Sequence, residues 1–196
     1  MLAEAYPDLE PRFVEEQTQH LITRLRNGNL DLAIMALPSE ATGMVDSPLY
    51  TEKFSIVCPP DHPIAGREDV ELVELKDLDL LLLDDGHCLR DQVVDLCRHA
   101  NINPAEATNS VTRASSLTTI MQLVMGGLGC TLVPESALAT ECHGKDVAIA
   151  HFASDVTAER EVGLVFRSSA ARSEEFREFG TLITSAYNKA IERSRQ

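Results

Sequence analysis

Basic charge is what this chain has least of. Seventeen lysines and arginines stand against 31 aspartates and glutamates, a formal net charge of −14. A surface of that sign repels phosphate backbones, which excludes nucleic acid as a direct partner of these residues. Long apolar runs are missing as well. None approaches the roughly 20 residues that a membrane span needs. The opening MLAEAYPDLE has neither the basic start nor the apolar middle of a signal peptide. The expectation is a cytoplasmic protein with no membrane partner. No C-x-x-C occurs, and no His/Cys pair has zinc-site spacing. His20, His62, His99, His143 and His151 show no ligand spacing either, so no metal and no cofactor are expected. No repeat of fixed period and no low-complexity tract is present.

Disulfide scaffolding is excluded by arithmetic. Cys58, Cys88, Cys97, Cys130 and Cys142 are odd in number and irregular in spacing. Cytosolic thiols are normally reduced, so a disulfide here would be transient and functional. Cys58, Cys130 and Cys142 read as buried or incidental thiols.

What is present is a core-forming chain. Its 196 residues are 44% hydrophobic, enough for one domain or two small ones. Strands and helices alternate along it. RFVEE (12–16) reads as a short strand, and Thr18 as the cap of a helix that ends at Asn27-Gly28. LDLAIMAL (30–37) has the near-continuous apolar character of a parallel strand buried on both faces. KFSIVCP (53–59) is another strand, and PPDHPIAG (59–66) is a break between lobes. LDLLLLD (78–84), GCTLVP (129–134) and REVGLVFR (160–167) read as further strands. Leu89, Val93, Leu96 and Ala100 line one helix face. Ser115 or Ser116 caps a helix carrying Leu117, Ile120, Met121 and Val124, closed by Gly126-Gly127. From Ser173 a stripe of Phe176, Phe179, Leu182, Ile183, Ala186 and Ala190 marks an amphipathic helix. Short connections between alternating elements predict an α/β fold with mainly parallel sheets.

LIxxLRxGxLDLAIM, the PPDHP break and SSLTTIMQLVMGGLGCTLVPESAL together resemble the effector-binding domain of LysR-type transcriptional regulators over nearly the whole chain. The resemblance implies two Rossmann-like lobes, similar to periplasmic binding proteins, with the chain crossing twice between them. Lobe I would be 1–58 plus 163–196, and lobe II 59–162. It also implies an N-terminal winged helix-turn-helix, and the first strand of lobe I, ahead of Met1. DNA would then be a partner only through that absent domain, and the domain would act as a homodimer or homotetramer.

One stretch is more specific. Asp85, Gly86, His87, Cys88, Leu89, Arg90, Asp91 and Gln92, followed by Cys97, resemble the hydrogen-peroxide sensors of that family. This implies Cys88 as the peroxide-reacting thiol and Cys97 as its resolving partner. Thr18, Gly86, His87, Leu89 and Arg160 would form the peroxide pocket. Thioredoxin or glutaredoxin systems would reset it. Chemistry at the residues runs in both directions. The attacking species is the thiolate, and the start of a helix favours an anion. His87, Arg90 and Arg160 add positive charge, while Asp84, Asp85 and Asp91 oppose it. Two readings compete with this one. Either the domain binds a small organic acid in the cleft between the lobes and the cysteines are incidental, or the protein is a thiol peroxidase.

Nine residues of helix rise about 13.5 Å and turn by about 900°. A disulfide needs Cα atoms within roughly 7 Å. A helix running from Cys88 to Cys97 cannot survive a bond between them, so the spacing itself predicts a switch.

Overall fold

The computed structural model describes residues 2–103 and 108–194. Two compact units emerge: Met1–Thr51 with Glu161–Gln196, and Glu52–Arg160. Residues 1, 104–107, 195 and 196 of the expected lobe ranges lie outside the described residues. The chain passes between units at 51/52 and 160/161, where the sequence suggested 58/59 and 162/163. The Pro-rich segment 59–66 is therefore a loop inside the second unit. The crossings occur instead within two long strands, β2 (Met44–Cys58) and β7 (Glu159–Arg167).

The first unit contains α1 (Leu2–Ala5), α2 (Thr18–Arg26), β1 (Leu32–Ala36), the near part of β2, most of β7, and α6 (Ser173–Ser194). β1 pairs antiparallel with β7, from Leu32↔Phe166 to Ala36↔Val162. Successive β7 side chains point to opposite faces. Val165 joins Ile22, Leu25, Ala33 and Met35, while Leu164 and Phe166 pack with Phe176. That two-sided burial explains the unbroken apolar run of β7. Gly163 is required by packing: a Cβ there would meet Leu37 Cδ1 at 2.5 Å and the Ser47 carbonyl at 2.7 Å. The Arg167 guanidinium donates to the carbonyls of Leu25 and Leu30, closing the C-terminal end of α2 with a cation.

Several expectations change in this unit. RFVEE forms no strand, and Phe13 is 79% exposed. Thr18 is the first helical residue, not the cap. Gln17 holds the extended cap conformation, and its carbonyl accepts from His20 and Leu21. β1 is buried on one face only, with Ile34 largely exposed. On α6 the buried line runs through Phe176, Gly180 and Ile191 rather than Ala186 and Ala190, both exposed.

The second unit carries the far part of β2, a 3₁₀ turn at Leu72–Asp77, β3 (Leu80–Leu83), α3 (Cys88–His99), β4 (Thr108–Ala114), α4 (Leu117–Met125), β5 (Thr131–Pro134), α5 (Glu135–Glu141) and β6 (Ala148–His151). β3 pairs parallel with β4, and a parallel bridge joins Leu80 to Cys130 just before β5. β2 pairs antiparallel with both β5 and β6. The expectation of mainly parallel sheets thus needs correction to mixed. Strands joined through a covering helix obey the parallel crossover rule, whereas the antiparallel ladders each involve a crossing strand, β2 or β7, which that rule does not bind.

β3 shows how LLLL can be wholly buried. Leu80 and Leu82 face a core with Val93, Leu96, Cys97 and Ile56, while Leu81 and Leu83 face another with Ile120, Met121 and Val124. Ser116 caps α4, its hydroxyl accepting from the Thr119 N–H at 3.2 Å. Among the described residues no helix is long and apolar enough to cross a membrane.

Candidate functional site

The loop from β3 into α3 builds the site. Gly86 sits at φ 93°, a left-handed turn that a residue with a Cβ adopts only under strain. His87 follows in extended conformation as the N-cap of α3 and makes no side-chain capping bond. Its carbonyl accepts from the N–H of Arg90 at 3.0 Å and of Asp91 at 3.3 Å, which starts the helix. Cys88 is the first helical residue and is half-buried. No proline or glycine interrupts Cys88–His99, and Val93, Val94, Leu96 and Cys97 are buried on its inner side.

The other end is closed by a Schellman motif. Asn101 takes φ 57° and donates to Arg98, while the Ile102 N–H donates to the Cys97 carbonyl at 2.9 Å. Ile102 is buried in the same core as Cys97. Both thiols are free, and Cys97 has no solvent exposure. Burial pushes the Cys97 thiol up from its ordinary value. Intact helix between the two cysteines sets their Cα atoms about 13.5 Å apart along the axis, well outside disulfide reach.

Next to Cys88, the Arg90 cation is already engaged. Arg90 is held by Asp85 at 2.9 Å and approached by Asp91 at 3.6 Å, so its cation is shared with two of the carboxylates that opposed it in sequence. Leu89, Arg90 and Val93 line a small cavity with Leu81, Leu117 and Thr131 beneath the start of α3.

Arg160 belongs to the second unit with Cys88. It is paired with Glu52 at 2.6 Å and donates to the Gln92 side chain at 3.3 Å. Glu52 has no side-chain exposure, and its second oxygen accepts from the Ser136 N–H at 3.1 Å, at the start of α5. Arg160 therefore ties α3 to β2 and α5 through one guanidinium. Thr18 lies in the first unit.

Sequence reasoning missed Glu52, which falls just ahead of the strand read at 53–59 but inside the longer β2 of the structure. Its partner lies 108 residues away. Gln92 was visible only as a letter within a motif. No cluster of three or more potential metal ligands occurs among the described residues.

A discontinuous unit, an inserted unit and two long strands passing between them define a periplasmic-binding-protein-like α/β domain, with a cysteine-bounded helix as its distinctive feature. The chain belongs to the LysR substrate-binding domain family, whose model matches residues 1–188. It is 47% identical to a probable hydrogen peroxide-inducible genes activator of Mycobacterium avium, over 93% of this chain and 57% of that protein. The chain thus spans little more than half the length of such curated relatives. Two solved structures from Corynebacterium glutamicum are similar at 59% identity. One is a cysteine-to-serine mutant of OxyR with hydrogen peroxide bound, with TM-score 0.94, covering 97% of this chain and 59% of that one. The other is the oxidized form of OxyR, with TM-score 0.86, covering 99% and 60%.

Proposed function

We propose that this chain is the peroxide-sensing regulatory domain of a LysR-type transcription regulator. Cys88 is its reactive thiol and Cys97 its resolving thiol. The observation that carries the reading is α3 itself, a helix with one cysteine at its amino end and the other buried near its carboxyl end. Similarity to OxyR and to peroxide-inducible activators supports it.

In this reading the Cys88 thiolate attacks one peroxide oxygen and the O–O bond breaks. The departing hydroxide takes a proton and leaves as water. The product is a sulfenic acid at Cys88. Donors aimed at the departing oxygen lower the barrier, because charge develops there. His87 and Arg160 are assigned that role, with Gly86 and Leu89 shaping the pocket. Thr18 joins them on sequence resemblance alone. The Cys97 sulfur then attacks the sulfenic sulfur, a second water leaves, and the disulfide forms. α3 cannot remain helical across that bond, so a local oxidation becomes a refolding of the second unit. The whole protein would pass this on to homodimer or homotetramer contacts and to DNA through a separate domain. Thioredoxin- or glutaredoxin-type reductants would reset it in the cytosol. A regulator suits this chemistry better than a turnover enzyme, since each cycle would have to undo the refolding.

Peroxide titration followed by peptide mapping without reductant tests the reading. A Cys88–Cys97 linked peptide is expected at low peroxide, lost in Cys88→Ser. Cys97→Ser should leave sulfenic or over-oxidised Cys88. Oxidation of Cys58 or Cys142 ahead of Cys88 would overturn it.

A further inference from the structure

Two thiols that the proposed switch does not use are close enough for Cys58 to act electrostatically on Cys130. β2 and β5 pair antiparallel with Val57 facing Thr131, and one step further along that register sets Cys58 against Cys130. The Cys130 N–H donates to the Asp79 carbonyl and its own carbonyl accepts from Leu81, so both its backbone groups are spent on the β3 side. Continuing the register one residue past the start of β5 places Cys58 and Cys130 at a non-hydrogen-bonded position. In such pairs the Cα atoms are about 4.5 Å apart and the side chains share one face. That separation lies within the roughly 4.4–6.8 Å range of disulfides. Both cysteines are fully buried, in the same core that takes Val93, Leu96 and Cys97 from α3. Cys58 donates weakly to the Ala148 carbonyl at 3.7 Å, and both thiols are free.

We propose that Cys58 and Cys130 form a second, latent dithiol, which peroxide closes to a disulfide only after oxidation at Cys88 has drawn α3 out of the core. The gating clause rests on the proposed function, whereas the pairing rests on strand register alone. This pair needs no refolding to bond, in contrast to Cys88 and Cys97. What holds it inactive is burial. The Cys130 thiol is pushed up to about 12 by loss of solvent, with Cys58 and Asp79 adding to the effect, and burial pushes Cys58 up too. Near neutral pH almost no reactive thiolate exists at either sulfur, and both lie in the core that Val93, Leu96 and Cys97 of α3 help to fill. Once α3 leaves, one sulfur attacks peroxide, the O–O bond breaks, and a sulfenic acid and water form. The neighbouring sulfur displaces the sulfenic oxygen as a second water. Two thiols lose two electrons and two protons, and peroxide takes both. The resulting bond would staple β2, a crossing strand, to β5.

The test is a peroxide time course on this chain and on Cys88→Ser, quenched by alkylation and mapped without reductant. In the unaltered chain a Cys58–Cys130 peptide is expected to follow the Cys88–Cys97 peptide. In Cys88→Ser it should form at least about a hundredfold more slowly, the thiolate being scarce while the core stays closed. A chain fully linked at Cys88–Cys97 whose Cys58 and Cys130 stay alkylatable under excess peroxide overturns the latent dithiol and leaves the sensor intact. Equal rates in both chains overturn the gating. If Cys88–Cys97 never links, the sensor reading fails, and the pairing is then judged on Cys88→Ser alone. Diamide in urea below the unfolding midpoint must link Cys58 to Cys130 in that variant, and failure to do so ends the proposal.

Discussion

Joining Cys88 to Cys97 should give a disulfide that is easily reduced, and the structure sets how easily. The bond requires α3 to give up the helix that holds Val93, Val94 and Leu96 at 2%, 9% and 6% exposure. Burying such a side chain is worth roughly 1.5–3 kcal/mol, so releasing all three costs about 5–9 kcal/mol. That is an upper bound, reduced by whatever burial the oxidised form regains. For a two-electron couple, about 1.4 kcal/mol corresponds to roughly 30 mV, and unstrained structural disulfides lie below about −300 mV. The refolding cost therefore raises the potential by about 100–190 mV, to between about −200 and −110 mV. Equilibration in glutathione buffers of graded ratio, with alkylation and mass mapping, measures it. A potential below about −280 mV would refute the reasoning, because it would mean that forming the bond disturbs almost no packing.

Three further outcomes follow from the same contacts. Val93→Ala removes packing present only in the reduced form, so it should lower the potential by about 20–60 mV, equivalent to roughly 1–3 kcal/mol, in the same redox titration. Glu52→Ala leaves Arg160 without its buried partner and should cost about 3 kcal/mol in urea unfolding, while Glu52→Ala with Arg160→Met should cost less, since no orphaned charge remains. The third outcome concerns pH. Cys130 keeps its proton in the folded chain up to about 12, whereas the unfolded thiol ionises near its ordinary value of about 8.5. Between those values the unfolded state binds fewer protons, so stability is full below about pH 8.5 and falls by about 1.4 kcal/mol per unit above it. Urea midpoints at pH 8 and pH 10.5 check this, and Cys130→Val should flatten the decline.

Much of the fold was legible because its elements bury opposite faces with clear periods. LDLLLLD, GCTLVP and REVGLVFR all became strands, and the Leu89–Val93–Leu96 line became the inner face of α3. The misread elements have two causes. RFVEE has strand-like residues but no partner strand, so Phe13 stays in solvent. The sequence reading gave no element to β4, α5 or β6, which are short and weakly periodic. Register was wholly invisible. Nothing in the letters sets Cys58 against Cys130, 72 positions along, or Glu52 against Arg160, because those contacts depend on which residues of distant strands align. Cys88 and Cys97 could be singled out from the letters because Asp85–Gln92 followed by Cys97 resembles a family motif, and helix geometry added only that the two thiols cannot meet while the helix stays intact.

The central claim is that the bond and the helix exclude each other. Amide hydrogen exchange across residues 88–102, before and after one equivalent of peroxide, tests it most directly. The account predicts that the protected amides of Val93–His99 and the Ile102 N–H lose protection together as the Cys88–Cys97 peptide appears. Full linkage with that protection unchanged would contradict it.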